Sequence, residues 1–167
     1  MQDEVKNRDQ LSFVPIGIIN SPFTDIIGMP IQPTGARGIH GTVEIFSEYA
    51  EGLMDIEGFS HLFLIYAFHR CSSYQLMVRP FLDTTPHGVF ATRAPRRPNA
   101  IGVSIVRLIE VKGSTLFIED VDILDGTPLL DLKPYVPLFD AYPDASSGWL
   151  EHSAYGAEVF RSDERFR

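Results

Sequence analysis

Two apolar runs joined by a three-residue turn limit the possible folds of this chain more than any other feature. The first run covers 101–111 (IGVSIVRLIEV), the second covers 115–124 (TLFIEDVDIL), and Lys-Gly-Ser separates them. β-Branched residues are frequent in both runs, and such residues favour a pleated, half-buried strand. A short connection that contains Gly between two such runs is typical of a β-hairpin. Acidic residues interrupt the second run in near alternation, which predicts one solvent-exposed face.

Three further runs extend this hairpin into a larger sheet. Residues 13–20 (FVPIGIIN) predict a first strand, and Pro15 indicates that it lies at an edge. Residues 39–46 predict a second strand. The run 61–69 (HLFLIYAFH) is almost continuously apolar, which predicts a strand buried on both faces, with a helix as the alternative.

Helical signals are few and short. Ser47 can cap a short helix over 48–56, and one or two helical turns are expected around 154–160. Repeated strands with few helices predict a mainly β fold, a compact antiparallel β-barrel rather than a sandwich, with one or two short helices.

The chain is long enough for one domain with its own core, since it has 167 residues. We divide it into a polar N-terminal arm (1–11), a barrel domain (12–145) and a C-terminal extension (146–167). No run approaches the length of a membrane span, and the charged N-terminus is unlike a signal peptide. A single cysteine, Cys71, fits a buried position in a reducing compartment. These features predict a cytoplasmic protein without a membrane partner.

Charge is distributed unevenly. The net charge is −8, yet the segment 70–107 contains six arginines against one acid, Asp83, and so carries +5. Arginine binds phosphate and carboxylate groups with two parallel hydrogen bonds, which lysine cannot do. The segment therefore indicates an anionic partner, although pairing of these arginines with the acidic excess explains them equally well.

The centre of this basic segment is GVFATRAPRRPNAIGVS, residues 88–104. Pro95 and Pro98 fix their own φ angles and bias the residues before them away from helix. The segment is therefore predicted to be a stiff, extended loop, and side chains on a stiff loop lose less freedom when they bind. Its candidate binding residues are Arg93, Arg96, Arg97 and Asn99.

Three more polar clusters lie at the ends of apolar runs. The first surrounds Gln32 in MPIQPTGARG, and the second is His69-Arg70. The third, LDGTPLLDLKPY, begins with a tight turn and continues with Asp131, Lys133 and Tyr135 in alternation. In an extended segment these three side chains share one face. A plain loop, a structural histidine and an exposed Asp131–Lys133 ion pair are the alternative interpretations.

Long stretches of the sequence resemble the TsaA-like family, also called YaeB or TrmO. They are SPF at 21–23, FSHLFLIYAFH at 59–69, the arginine loop at 88–104 and DGTPLLDLKPYVP at 125–137. The resemblance implies a dimeric β-barrel methyltransferase that uses S-adenosylmethionine. The substrate it implies is transfer RNA, methylated on N6 of the threonylcarbamoyl-adenosine that follows the anticodon.

The resemblance also implies which residues bind the cofactor. They are Gln32, Pro33, Thr34, His69, Arg70, Arg93, Val103, Asp125, Gly126, Thr127 and Pro128. Two positions depart from the family pattern: Ile31 stands where an arginine is usual, and Ala100 replaces a frequent proline. Some members also carry a further C-terminal domain.

The remaining polar residues are assigned to the substrate and to proton transfer. Because the N6 nitrogen is a poor nucleophile, loss of its proton should help the reaction, and Asp131 or Tyr135 is the hypothesised base. Arg96, Arg97, Asn99 and Lys133 are expected to bind RNA phosphates or the threonine carboxylate. No metal is expected.

Two other functions are compatible with the residues. The protein could be a non-catalytic barrel that binds S-adenosylmethionine or another nucleotide-like ligand as a regulator. A simple nucleic-acid-binding barrel is disfavoured, because no regular series of aromatic residues accompanies the arginines.

Overall fold

The computed structural model describes residues 11–151 and 154–166, so all but the last residue of the predicted arm at 1–11 lies outside the described residues. Within these ranges the chain forms short strands, one α-helix and several 3₁₀ helices. The strands are β1 (Gly17–Asn20), β2 (His40–Ile45), β3 (His61–Ala67), β4 (Met77–Val78), β5 (His87–Gly88), β6 (Ile101–Lys112), β7 (Thr115–Glu119) and β8 (Thr127–Pro134). The helix α1 is Pro137–Asp140, and the 3₁₀ helices are Pro33–Ala36, Ser47–Leu53, Ile56–Gly58, Val89–Ala91, Gly148–Leu150, Ala154–Glu158 and Glu164–Phe166.

Six of the strands close into a barrel in the order β1-β2-β7-β6-β3-β8, and every neighbouring pair is antiparallel. This confirms the predicted mainly β, antiparallel barrel with few short helices. The prediction that Pro15 marks an edge strand is wrong, because a closed barrel has no edge and β1 begins at Gly17. β4 and β5 form a separate two-stranded sheet.

Side chains that alternate along the strands fill the barrel. Leu62, Leu64 and Tyr66 of β3 point inward and are buried, whereas Phe63 and Ile65 between them are only partly covered. The prediction that 61–69 is buried on both faces is therefore wrong, because an antiparallel barrel has one inner face. The core also contains Ile19, Val43, Val106, Leu116, Ile118, Val121, Ile123 and Leu129.

Two element boundaries differ from the prediction. β7 ends at Glu119 instead of Leu124, because Asp120 adopts a left-handed φ of 68° and turns the chain away from the barrel ladder. The helix expected after Ser47 is a 3₁₀ helix, and Phe46 rather than Ser47 occupies its N-cap position without a side-chain cap. The expected turns near 154–160 are the 3₁₀ helix Ala154–Glu158.

The three connections 21–39, 68–100 and 120–126 join strands at the same end of the barrel, which we call the loop end. The described parts of the C-terminal segment, 148–151 and 154–166, pack against the connections 21–39 and 68–100. Trp149 Nε1 donates to the carbonyl of Ala91 at 2.8 Å, and Arg165 Nη1 donates to that of Pro80 at 2.8 Å. Phe166 is buried with Val78 and Val89. The C-terminal segment therefore helps to hold these two connections in place.

Within the described residues, no helix is both long and apolar enough to cross a membrane.

Candidate active site

Two of the predicted cofactor residues meet directly at the loop end. Arg93 Nη1 donates to Gln32 Oε1 at 2.8 Å, which joins the connection 21–39 to the connection 68–100. Gln32 also precedes the 3₁₀ helix that Pro33 and Thr34 begin, and its carbonyl accepts from the Gly35 amide at 2.9 Å. The exposed guanidinium of Arg93 is thus positioned by a neighbour that sequence separates by 61 residues.

The turn before β8 forms a second part of the loop end. Asp125 Oδ1 accepts from the Ser21 amide at 2.9 Å, and Thr127 Oγ1 donates to the Leu124 carbonyl at 2.6 Å. Gly126 has a φ of 72° and open space where a side chain would extend, so the backbone here can be approached closely. Pro128 follows at the start of β8.

His69 lies over this turn, with its Nδ1 3.4 Å from Thr127 Oγ1. Partial desolvation, followed by the charge of the adjacent Arg70, lowers the pKa of His69. The ring is therefore neutral at physiological pH and can accept or donate one hydrogen bond at each nitrogen. Both His69 and Arg70 are exposed at the exit of β3.

The predicted substrate arginines differ from each other. Arg97 Nη1 donates to three carbonyls of its own loop, those of Val89, Thr92 and Ala94, at 3.3, 2.9 and 3.3 Å. Arg97 therefore holds the loop in shape. Arg96 is part-buried, and its charge acts on Cys71. Asn99 is exposed just before β6.

Asp131, Lys133 and Val103 lie on the outside of the barrel, which we call the outer wall. Ile65 of β3 pairs with both Asp131 and Val103, and Phe63 pairs with Lys133, so these side chains share the outward face. Asp131 Oδ2 is 2.8 Å from Lys133 Nζ. The predicted common face of the alternating acid and cation therefore exists, but it is separate from the loop end.

Tyr135 is further from the loop end than either of these residues. Its amide donates to the His61 carbonyl at 3.0 Å, and its ring packs edge-on against Phe63 with centroids 5.5 Å apart. Asp131 lies four residues from Thr127 along an extended strand, which is about 13 Å. The structure thus groups the loop residues together and does not bring Asp131 or Tyr135 among them.

A series of three hydrogen-bonded side chains links the barrel interior to the loop end. Ser104 Oγ donates to Asp122 Oδ1 at 2.7 Å, and Tyr66 Oη lies 3.1 Å from the same Ser104 oxygen. Tyr66 and Ser104 are 5% and 3% exposed, whereas Asp122 is part-exposed. Because the single Ser104 proton points at Asp122, Tyr66 donates to Ser104. The order Tyr66, Ser104, Asp122 therefore runs outward.

Burial controls the protonation of Tyr66 and Asp122, the two titratable members of this hydrogen-bonded series. Burial raises the pKa of Asp122 to about 6, against the opposing effects of the Ser104 hydrogen bond and the nearby Arg93 charge. Burial and the Asp122 charge raise the pKa of Tyr66. Asp122 is the carboxylate of the loop end whose proton affinity lies near neutral pH.

Sequence reasoning missed Tyr66, Ser104 and Asp122 as site residues. One signal was available: Ser104 is a hydroxyl residue at an inward position between Gly102 and Val106, where an apolar residue is expected. A buried hydroxyl needs a partner. The sequence could not indicate that this partner comes from beyond the end of β7.

No group of three or more His, Cys, Asp or Glu side chains in the described ranges is arranged to hold a metal ion.

Comparison with known proteins identifies relatives of this fold and site. Residues 18–141 match the family model of the tRNA-methyltransferase O N-terminal domain. A probable S-adenosyl-L-methionine-binding protein of Pyrococcus abyssi is 56% identical over 93% of this chain and 85% of its own length. The tRNA (adenine(37)-N6)-methyltransferase of Escherichia coli K12 is 37% identical over 88% of this chain and 66% of its own length.

A solved structure supports the same relationship. The crystal structure of TrmO from Pseudomonas aeruginosa superimposes with a TM-score of 0.71 at 40% identity, over 84% of this chain and 63% of that chain. The present chain thus spans less than two thirds of the crystallised relative. The matched region includes every barrel strand except the first residue of β1, together with the three loop-end connections. The chain belongs to the tRNA-methyltransferase O family.

Proposed function

We propose that this chain is an S-adenosylmethionine-dependent methyltransferase that acts on N6 of adenosine 37 of transfer RNA, next to the anticodon. The observation that carries the proposal is the 37% identity with an adenine(37)-N6 methyltransferase over 88% of the chain. The substrate we propose is the threonylcarbamoyl form of this adenosine, as the family resemblance implies. Methyl transfer fits a loop end whose connections are joined by hydrogen bonds, because the reaction depends mainly on holding two groups in line.

The loop end has the chemistry that this cofactor requires. Its amino-acid part is a zwitterion, and the exposed guanidinium of Arg93 is a donor suited to its carboxylate. The turn Asp125-Gly126-Thr127 offers backbone that a ligand can approach closely at Gly126. His69 adds a neutral ring at the side of this turn. When bound, the cofactor would supply the electrophilic methyl group.

The residues have separate tasks in this proposal. Gln32, with Pro33 and Thr34, fixes Arg93 against the cofactor; His69 and Arg70 close one side, and the turn 125–128 closes the other. Arg96, Asn99 and Lys133 contact the RNA or the threonine carboxylate. Arg97 supports them by shaping the loop, because its Nη1 is already engaged with backbone carbonyls. Val103 remains a proposed cofactor contact from the outer wall.

We also propose that the protein acts as a homodimer. Ile101, Val103 and Ile105 form an apolar stripe along the outward face of β6 and are 39%, 49% and 37% exposed. A second copy is the partner that the resemblance implies, and symmetric pairing of this stripe would cover it. Sedimentation at micromolar concentration, with Ile105→Glu as the variant, tests this: we expect a dimer that the variant dissociates, and a monomeric parent would contradict it. A tRNA substrate also favours the cytoplasm.

The experiment that tests the activity has two steps. S-Adenosylmethionine, or its demethylated product, should raise the melting temperature of the purified protein. Methyl transfer should then occur to bulk tRNA that carries the threonylcarbamoyl group and be much weaker to tRNA that lacks it. Stabilisation without transfer to either tRNA would favour the regulator, and the absence of both effects would remove the enzyme.

A further inference from the structure

The acids at the loop end are held in different ways. Asp125 Oδ1 accepts from the Ser21 amide, and Asp120 Oδ1 accepts from the Gly38 amide at 2.9 Å, so both of these carboxylates fasten one connection to another. Asp122 instead accepts a hydrogen bond from the hydroxyl of buried Ser104. The hydrogen bond from Ser104 fixes one oxygen of the carboxylate, and the residue as a whole is partly exposed.

The groups that face Asp122 come from three elements. Ser104 on β6 and Tyr66 on β3 form the buried chain behind it, and Arg93 of the connection 68–100 is the charged group near it. No salt bridge joins Asp122 to a cation among residues 11–151 and 154–166. Its carboxylate is therefore oriented without being neutralised by a contacting cation.

We propose that Asp122 accepts the N6 proton of the substrate during methyl transfer. This inference rests on the proposed function and assigns a catalytic residue to it. The nitrogen electron pair forms the bond to the methyl carbon while the carbon–sulfur bond breaks and its electrons remain on sulfur. The N6 proton passes to Asp122, so the carboxylate becomes a neutral acid. All charges balance, because the sulfonium is converted to a thioether.

Physical chemistry favours Asp122 for this step over the acid of the outer wall. A general base is most effective when its pKa lies near the working pH, and burial holds the pKa of Asp122 at about 6. Asp131 contacts Lys133 at 2.8 Å, and its side chain is 47% exposed. It lies about 13 Å along β8 from the turn that the proposed cofactor occupies. The hypothesis that Asp131 or Tyr135 is the base therefore competes directly with Asp122, and it places the base at a different position on the barrel.

Ser104 is the corresponding positioning residue. Its hydrogen bond favours the ionised form of Asp122 and thereby lowers the pKa of that carboxyl. Removal of the hydroxyl in Ser104→Ala should raise this pKa, so the acidic limb of the rate profile should move to higher pH. A merely structural serine would change stability without moving that limb.

The decisive experiment measures single-turnover methyl transfer at saturating S-adenosylmethionine, with tRNA that carries threonylcarbamoyl-adenosine. Asp122→Asn keeps the shape and an acceptor for Ser104, and its rate should fall by about 100-fold or more. Its affinity for the demethylated cofactor should stay within a few-fold. Glu110→Gln, the equivalent change on an exposed acid at the opposite end of β6, should transfer at nearly the parent rate. The parent rate itself should decline below about pH 6, as the carboxyl with a pKa of about 6 becomes protonated.

Each other outcome overturns the inference in a recognisable way. An active parent with an equally active Asp122→Asn removes Asp122 and leaves the proposed function intact. If Asp131→Asn or Tyr135→Phe loses methyl transfer while Asp122→Asn transfers normally, the base is Asp131 or Tyr135 and not Asp122. Loss of cofactor affinity in Asp122→Asn makes Asp122 a binding group. If the parent protein transfers no methyl group to any tRNA, both the proposed methyltransferase function and the role of Asp122 are wrong.

Discussion

The loop end and the outer wall each contain a carboxylate that is a candidate for the catalytic base, but the surroundings of the two differ. Asp131 of the outer wall pairs with Lys133 in the presence of solvent, with both side chains about half exposed or more. Asp122 of the loop end accepts a hydrogen bond from buried Ser104, and burial raises the pKa of Asp122 to about 6. Alternation along a strand therefore identifies side chains that share a face, whereas burial determines which carboxyl has a shifted pKa.

The largest expected effect is on stability, because Asp122 is ionised where it is poorly solvated. Its pKa is about 6 in the folded protein and lower, near the ordinary value, in the unfolded chain. The destabilisation is therefore absent below about pH 4, grows between pH 4 and 6 and is complete above pH 6, at up to about 3 kcal/mol. Asp122→Asn should raise the free energy of unfolding at pH 8 but not at pH 4.

Urea denaturation of both proteins at the two pH values measures this difference. Asp131→Asn is the matched comparison from the outer wall. An equal gain from both variants, or a gain for Asp122→Asn that does not depend on pH, would contradict the contrast between the two acids.

The second effect concerns the packing that keeps Tyr66 in place. A side chain at Gly102 would collide with the Tyr66 ring, which lies against the backbone there. Gly102→Ala should therefore destabilise the protein by about 1 to 3 kcal/mol through overpacking, and should disturb the Tyr66–Ser104 hydrogen bond. Thermal unfolding measures this. Gly52→Ala, where a side chain meets open space, is the control and should change little.

The third effect separates the arginines of the loop end. Arg93→Ala removes an exposed guanidinium that we assign to the cofactor carboxylate, and should weaken S-adenosylmethionine binding about tenfold, or 1.4 kcal/mol. Calorimetric titration measures the affinity, and Arg96→Ala should retain it. Arg97→Ala should instead lower the melting temperature, because three backbone carbonyls of the loop each lose a hydrogen bond from the guanidinium. Equal affinity losses for Arg93→Ala and Arg96→Ala would contradict this division.

The smallest effect belongs to the outer wall. Lys133→Ala breaks an ion pair whose side chains are 61% and 47% exposed. Exposed pairs of this kind are worth about 0 to 1 kcal/mol. Chemical denaturation should therefore show a change of less than about 1 kcal/mol that disappears in high salt. A larger loss of unfolding free energy that does not depend on salt would contradict the description of Asp131 and Lys133 as an exposed ion pair.

The sequence predicted the barrel well because period-two alternation and β-branched runs are local signals. The hairpin of β6 and β7 follows from such a pattern. Gln32 and Arg93 were candidates from local polar and basic clusters, and the resemblance assigned them to the cofactor. Their contact depends on the barrel topology, which brings the connections 21–39 and 68–100 to the same end. Asp122 was not predicted because its chemistry depends on its burial and on the hydrogen bond from Ser104 of β6, and no local sequence pattern shows either. The contacts of Arg97 with its own loop could not be predicted either, because composition does not show which guanidinium bonds to nearby backbone carbonyls.

The central claim is that the cofactor binds at the loop end of the barrel. Its most direct test is a titration of the ¹⁵N-labelled protein with the demethylated cofactor, followed by backbone amide shifts. We predict that the largest shifts cluster at Gln32, His69, Arg93 and the turn 125–128, while 131–135 change little. Shifts centred on 131–135, or none at millimolar ligand, would contradict it.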